Sequence, residues 1–420
     1  MGRVFYGWIV LAGLCITYAA SNGILLNSLP LFYPSLIEEF AWNAAEVTAP
    51  ATLSFLATAI LSLFVGYLVD RFAPRPMMIV GSILFVGVLL AYRYITTLDQ
   101  MRMIYVGFSV ALALNGILPS MVITSRWFKR YRGVAVGILL MASSFGGAIM
   151  PLIVGPIIED EGWRTALITM ASLGLVMMVL PCVFMLRNDP SEKNTVLDGD
   201  VAAAEEAAAE VEAKGLVSGI SLAEVMKTPM FYLLAFSTGV MWFCISGVIQ
   251  HQSIYLGSDL SLPGARLAQV FSLFFASSVV GKVLFGWLSD RYSKVNIMLL
   301  ATVNLTVGLV VFRMVDGDSF FSILLYAVVY GVGFSGAFTM IQLMIAELFA
   351  GPTYGKILGV FVFIDTLAGA IGIGALGRIR VATESYIPAI NLMIGLCLAA
   401  FACVYIIKRQ IEAPQPVAAG

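Results

Sequence analysis

GKVLFGWLSDR (Gly281 to Arg291) ends an apolar run long enough to cross a bilayer, and its last six residues decide the fold. Gly286-Trp-Leu-Ser-Asp290-Arg291 repeats Gly66-Tyr-Leu-Val-Asp70-Arg71, which also closes one apolar run and precedes the next. A basic residue follows each copy, Arg75 and Lys294. The same loop returning one half-chain later, on the same side, implies two parallel structural repeats. Working outward from the two copies, apolar stretches fall near 8–31, 46–69, 77–95, 103–126, 133–158, 163–186, 229–256, 266–289, 296–314, 319–346, 357–377 and 386–407. Each approaches the roughly 20 residues that a spanning helix needs. The expected fold is an all-α membrane protein, with twelve transmembrane helices in two pseudo-symmetric six-helix bundles.

Composition supports this. Of the 420 residues 60% are hydrophobic and 12% charged, and the mean hydropathy is +0.95. A soluble domain of that size cannot hide so much apolar surface, so the bilayer is its solvent. Lys and Arg gather in the loops of one side (Arg71, Arg75, Lys129, Arg130, Arg132, Arg291, Lys294, Lys408, Arg409). Acids favour the other (Glu38, Glu39, Glu46, Glu159, Asp160, Glu161). The positive-inside rule then places both termini in the cytoplasm. The run from Trp8 lacks a cleavage-site pattern and reads as a first membrane helix. Short loops and the absence of an organelle address point to a bacterial inner membrane.

Four regions are expected: a bundle over 1–187, an acidic Ala-rich cytoplasmic linker over 188–227, a second bundle over 228–410, and a tail over 411–420. The linker (DPSEKNTVLDGDVAAAEEAAAEVEAKG) reads as a tether, with a solvated helix an option over its Ala/Glu stretch. Pro119, Pro151 with Pro156, and Gly331, Gly333 and Gly336 interrupt spans where helices bend or cross closely. Cys15, Cys182, Cys244, Cys397 and Cys403 all lie in apolar runs with no metal spacing. No phosphate loop, Ser/His/Asp set or metal cluster is present, so an enzyme is disfavoured and neither cofactor nor nucleic acid is expected. A monomer in the lipid bilayer is.

The duplicated G-x-x-x-D-R loop, twelve helices and the long central loop resemble the major facilitator superfamily over essentially the whole chain. By that resemblance Asp70, Arg71, Asp290 and Arg291 form a latch at helix ends on the cytoplasmic side, released as the protein opens inward. A turn-forming role would look nearly the same. Tyr6-Gly-Trp8, WFKRYRGVAVGILLMAS (Trp127 to Ser143) and Glu161-Gly-Trp-Arg164 are similar to the monocarboxylate porter and oxalate/formate antiporter branch. Tyr131 departs from its usual basic residue, and Met141-Ala142 from Ala-Gly.

Lys282 and Asp365 each place a fixed charge in the middle of an apolar run. Such a residue costs roughly 2.5–3.5 kcal/mol at a helix centre, so it usually faces a polar cavity. Lys282 stands where the resembled group has a substrate-binding Arg, four residues before Gly286. Lysine is a point charge and cannot grip a carboxylate with Arg's two parallel bonds. Ser278 occupies the place of an Asp found in mammalian monocarboxylate transporters, and the antiporter has a Lys close to Asp365. Lys282 lies eight residues before Asp290 and Asp365 nine after Lys356. Both therefore sit about 12–14 Å from the cytoplasmic edge, a depth that allows them to pair. A permanent structural ion pair is the bland alternative.

His251, the only histidine, suits gating or proton handling if it faces the cavity, and is otherwise an interfacial side chain. Asn22, Asn115, Tyr330 and Phe334 fall near mid-membrane, and Phe361 lies one turn before Asp365. All five serve equally well in helix packing. The resemblance implies alternating-access transport of a small organic monoanion, most simply a monocarboxylate, with a proton. Lys282 would attract the carboxylate and Asp365 accept the proton, with His251, Asn115 and Tyr330 adding hydrogen bonds. A proton-driven exporter of apolar or cationic compounds, and a non-transporting sensor using the acidic linker, are the competing readings.

Overall fold

The computed structural model describes residues 5–199, 222–317, 319–349 and 354–412, without the side chains of 62, 63, 65–71, 132 and 354. The first half contributes α1 (Tyr6–Phe40), α2 (Ala44–Arg71), α3 (Pro74–Tyr92), α4 (Leu98–Trp127), α5 (Arg132–Glu161) and α6 (Trp163–Phe184). The second contributes α7 (Pro229–Asp259), α8 (Gly264–Arg291), α9 (Lys294–Arg313), α10 (Phe320–Leu348), α11 (Tyr354–Thr383) and α12 (Ile387–Glu412). All twelve are long and apolar enough to cross a membrane. Val80 and Ile83 on α3, and Val303 and Val307 on α9, are exposed apolar side chains suited to lipid.

Local chemistry explains where helices start and bend. The Thr97 hydroxyl accepts from the Gln100 amide while the Gln100 side chain accepts from the Thr97 amide, a reciprocal cap that opens α4. Thr228 and Ser319 cap α7 and α10 in the simpler way. Within α4, Gly116 adopts an extended conformation between Leu98–Asn115 and Ile117–Trp127, so this span is broken at mid-depth. The first span is longer than the predicted 8–31. Pro30 and Pro34 stand in the first turns of Leu29–Phe32 and Tyr33–Phe40, where a missing N–H costs nothing. The prolines redirect the helix, and it stops only at left-handed Ala41 (φ 54°).

The two halves pack by the same rule. In the first, α1 meets α5, α2 meets α4, and α3 meets α4 and α6; in the second, α7 meets α11, α8 meets α10, and α9 meets α10 and α12. The bundles join along two seams, α5 with α8 and α2 with α11. The α1–α5 crossing is tight: a Cβ on Gly146 would collide with the Ala19 carbonyl. Gly146→Leu is therefore expected to cost about 1–3 kcal/mol and to lower the thermal midpoint in detergent. Gly87 has open space around it, so Gly87→Leu should leave the midpoint unchanged. Equal midpoints for the two variants would show that the crossing tolerates bulk.

Most of the expected linker, and tail residues 413–420, lie outside the described residues. The linker's first part is docked. Asp198 accepts from the backbone N–H of Lys129 and of Arg130 at 2.9 and 2.7 Å, and the Asn188 side-chain oxygen accepts from the Arg75 backbone N–H at 2.9 Å.

Candidate functional site

The α5–α8 seam is a ladder that ends at Lys282. From the acidic end, the Ala265 amide donates to Glu159 at 2.6 Å, Gly155 faces Ala268, and Ser272 donates to the Ala148 carbonyl. Ser278 then donates to Ser144 at 2.9 Å. The last rung is the Lys282 ammonium, which donates to the Leu140 carbonyl at 3.0 Å and to the Ser143 hydroxyl at 3.3 Å. Beyond it the helices part. Gly286, one turn on along α8, and Gly137, nearly one turn back along α5, have nothing within 4 Å of an added Cβ.

The α2–α11 seam behaves alike. A Cβ added at Gly377 would meet Ala45 and Thr48, at Gly374 Thr52 and at Gly369 Phe55, whereas at Gly359 it would meet nothing within 4 Å. Ile60 and Val362 below are exposed. At the acidic end the bundles are further tied by the Tyr33 hydroxyl, which donates to Gln250 at 2.6 Å, and by Pro34 against Gly257. Both seams are thus closely packed toward the acidic end and loosen toward the basic end.

Lys282 stands where the close packing of the α5–α8 seam ends. Its ammonium lies 5.1 Å from the centroid of the Phe338 ring, a cation–π contact. Phe338 leans on Trp242 of α7 at 6.0 Å and on Phe334 at 6.3 Å. Asn27, in a π-helical turn of α1 (Gly23–Ser28), donates to the Ser143 carbonyl at 3.3 Å and so braces the strip of α5 that receives the ammonium. Among the described residues no carboxylate pairs with Lys282.

Asp365 does not meet Lys282, so the depth-based expectation of a pair is corrected. Its side chain turns into the α7–α11 seam, 3% exposed, beside the Thr238 hydroxyl, and its Oδ1 has no hydrogen-bond partner. Lys282 points across the α5–α8 seam while Asp365 points into the α7–α11 seam, so the two charges share a depth but not a contact. Thr238 and Trp242 are four apart on α7, hence on one face. A chain of neighbours therefore runs from Asp365 through Thr238, Trp242 and Phe338 to Lys282.

Several residues expected at the cavity are turned into packing. His251 is buried, with Nδ1 on the Tyr386 hydroxyl at 2.7 Å and Nε2 on the Ile373 carbonyl at 2.9 Å, so both ring nitrogens are occupied. Asn115 is held between α3 and α4, where its amide donates to Ser82 at 2.8 Å. Tyr330 donates to the Cys244 carbonyl at 3.1 Å and stacks between Phe274 and Tyr326. Phe361 is buried between Phe231 and Phe349. Phe334 backs the aromatic wall, and half-buried Asn22 donates to the Tyr18 carbonyl of its own helix at 3.0 Å.

Of the latch residues, the side chains of Asp70 and Arg71 lie outside the described residues. Asp290 is exposed with no ion pair among the described residues, and Arg291 lies over the Trp287 ring at 4.2 Å. Lys294 holds Glu347 at 2.6 Å across α9 and α10. Sequence reasoning passed over Asn27, Ser143, Trp242 and Phe338. Only Asn27, an amide in an apolar run, carried a usable signal.

Comparison with known proteins agrees with this architecture. The family model described as Major Facilitator Superfamily matches residues 10–373 and, in a second placement, 231–419. The MFS-type transporter YcxA of Bacillus subtilis is 24% identical over 93% of this chain and 91% of its own. Monocarboxylate transporter 13 of Rattus norvegicus is 25% identical over 91% of this chain and 84% of its own. Among solved structures, the nucleoside transporter NupG superposes with a TM-score of 0.74 at 13% identity, covering 96% of this chain and 99% of its own. At that identity the likeness concerns the fold alone.

Proposed function

The chain belongs to the Major Facilitator Superfamily, and we propose that it carries a small organic monoanion, a monocarboxylate by chemical class, together with a proton. The observation behind this reading is the Lys282 ammonium, set at mid-membrane on the last closed rung between the bundles and bonded only to neutral oxygens. A cation kept at such a depth without a counter-charge is costly, and a carboxylate arriving from the basic end would supply one. It would displace the Leu140 carbonyl and the Ser143 hydroxyl from the ammonium.

Asp365 sets the charge of the cargo. Lys282 protonated and Asp365 ionised sum to zero, so a bound monoanion leaves one negative charge in a poorly solvated space. A proton taken by Asp365 restores neutrality. Linkage runs through this charge balance, without a direct salt bridge. At an effective dielectric near 20, two unit charges on the order of 15 Å apart still interact by roughly 1 kcal/mol, enough for several-fold coupling without contact. A dianion would exceed what one proton can balance. With both charges satisfied, the bundles would rock about the site, closing the basic end and opening the acidic one. In that opposite state Asp70, Arg71, Asp290 and Arg291 would engage as the latch. The basic end would face the cytoplasm of a bacterial inner membrane.

In liposomes, an imposed pH gradient is expected to drive labelled monocarboxylate to accumulate on the alkaline side, and a protonophore should abolish this. Equal accumulation of oxalate, or indifference to the gradient, would contradict the reading. The aromatic wall beside an unpaired Asp365 also suits a proton-driven exporter of apolar or cationic compounds. That reading requires transport to survive loss of Lys282.

A further inference from the structure

The groups around the Lys282 ammonium define what a bound carboxylate would be attached to. Trp242 and Phe338 are both half-buried, whereas most neighbours on α7 and α10 are fully buried. Their rings meet at 68° with centroids 6.0 Å apart, forming a corner with one aromatic face on each side. The ammonium lies over one of these faces at 5.1 Å, and Phe334 supports the corner from behind. A carboxylate gripped by Lys282 therefore lays its body against two ring faces.

The polar side of the corner is already committed. Ser143 donates to the Leu140 carbonyl at 3.0 Å, and the Asn27 amide donates to the Ser143 carbonyl. A short hydroxy acid would find little to hold its hydroxyl there, and its small body would leave the rings uncovered. The Trp242 indole N–H donates to no protein group among the described residues, so the corner also keeps one open donor. Indole N–H groups normally find a partner, and a ligand oxygen is a suitable one.

We infer that the anion recognised at Lys282 is an aryl or similarly flat apolar monocarboxylate, its ring seated in the Trp242–Phe338 corner. This rests on the monoanion reading above and narrows it. Offset or edge-on ring packing adds to the burial of apolar area, so the corner favours an aryl acid over a short one by roughly tenfold or more.

Equilibrium binding to the purified full chain in detergent, at one pH, tests this with benzoate and phenylacetate against acetate and lactate. The aryl acids are expected to bind at least about tenfold more tightly. Trp242→Ala is expected to weaken aryl-acid binding at least about fivefold more than acetate or lactate binding, so that the preference is largely lost. Trp242→Phe should restore most of it, and the thermal midpoint of each variant reports folding. Equal or tighter binding of lactate, abolished by Lys282→Gln, would overturn the aryl assignment and leave the anion site standing. If no carboxylate binds, or Lys282→Gln changes nothing, both fall together. Equal losses for aryl and short acids in Trp242→Ala would likewise overturn the corner.

Discussion

Lys282→Gln is expected to abolish concentrative uptake of monocarboxylates, while Lys282→Arg retains it. Glutamine is one atom shorter but stays polar, and its amide N–H can still donate toward the Leu140 carbonyl, so the α5–α8 seam survives and the principal loss is the charge. Hydrogen bonds to charged groups contribute about 1.5–3 kcal/mol, so affinity should fall roughly ten- to 150-fold. Arginine restores the charge and adds a second parallel donor. Uptake by Lys282→Gln at the parent's rate would leave the ammonium without a role in transport.

The second large effect belongs to Asp365→Asn. Asparagine has nearly the same shape, keeps a group beside Thr238, and removes the exchangeable proton. This variant is expected to bind the anion and to exchange labelled for unlabelled anion within about threefold of the parent rate. Accumulation driven by a pH gradient should fall at least about tenfold, because neutrality no longer depends on a proton. The sign follows from charge balance: acid conditions strengthen anion binding in the parent and leave Asp365→Asn indifferent. Gradient-driven accumulation that persists in Asp365→Asn would move the coupling to another group.

The architecture was legible because bilayer thickness sets span length and the loop ending in Asp70-Arg71 returns at Asp290-Arg291. The far end of α1 was not, because Pro30 and Pro34 look like stops in a composition window when each opens a new turn. Lys282 and Asp365 stood out because a fixed charge in lipid is expensive whatever surrounds it. Their failure to touch was invisible, since position along a helix gives depth but not the neighbour that a given face meets. The same gap explains His251, Asn115, Tyr330 and Phe361, which lie at useful depths and spend their side chains on adjacent helices. Trp242, Phe338 and Ser143 were hidden for the opposite reason. Aromatic and hydroxyl side chains fill every span here, and only the packing of α5, α7, α8 and α10 singles these out.

Coupled binding of anion at Lys282 and proton at Asp365 is tested most directly by calorimetric titration of a monocarboxylate into the purified protein, repeated in two buffers of different ionisation enthalpy. The expected result is uptake of about one proton per anion bound, with no binding heat in Lys282→Gln and no proton uptake in Asp365→Asn. Binding that takes up no proton in the parent, or that persists unchanged in Lys282→Gln, would contradict it.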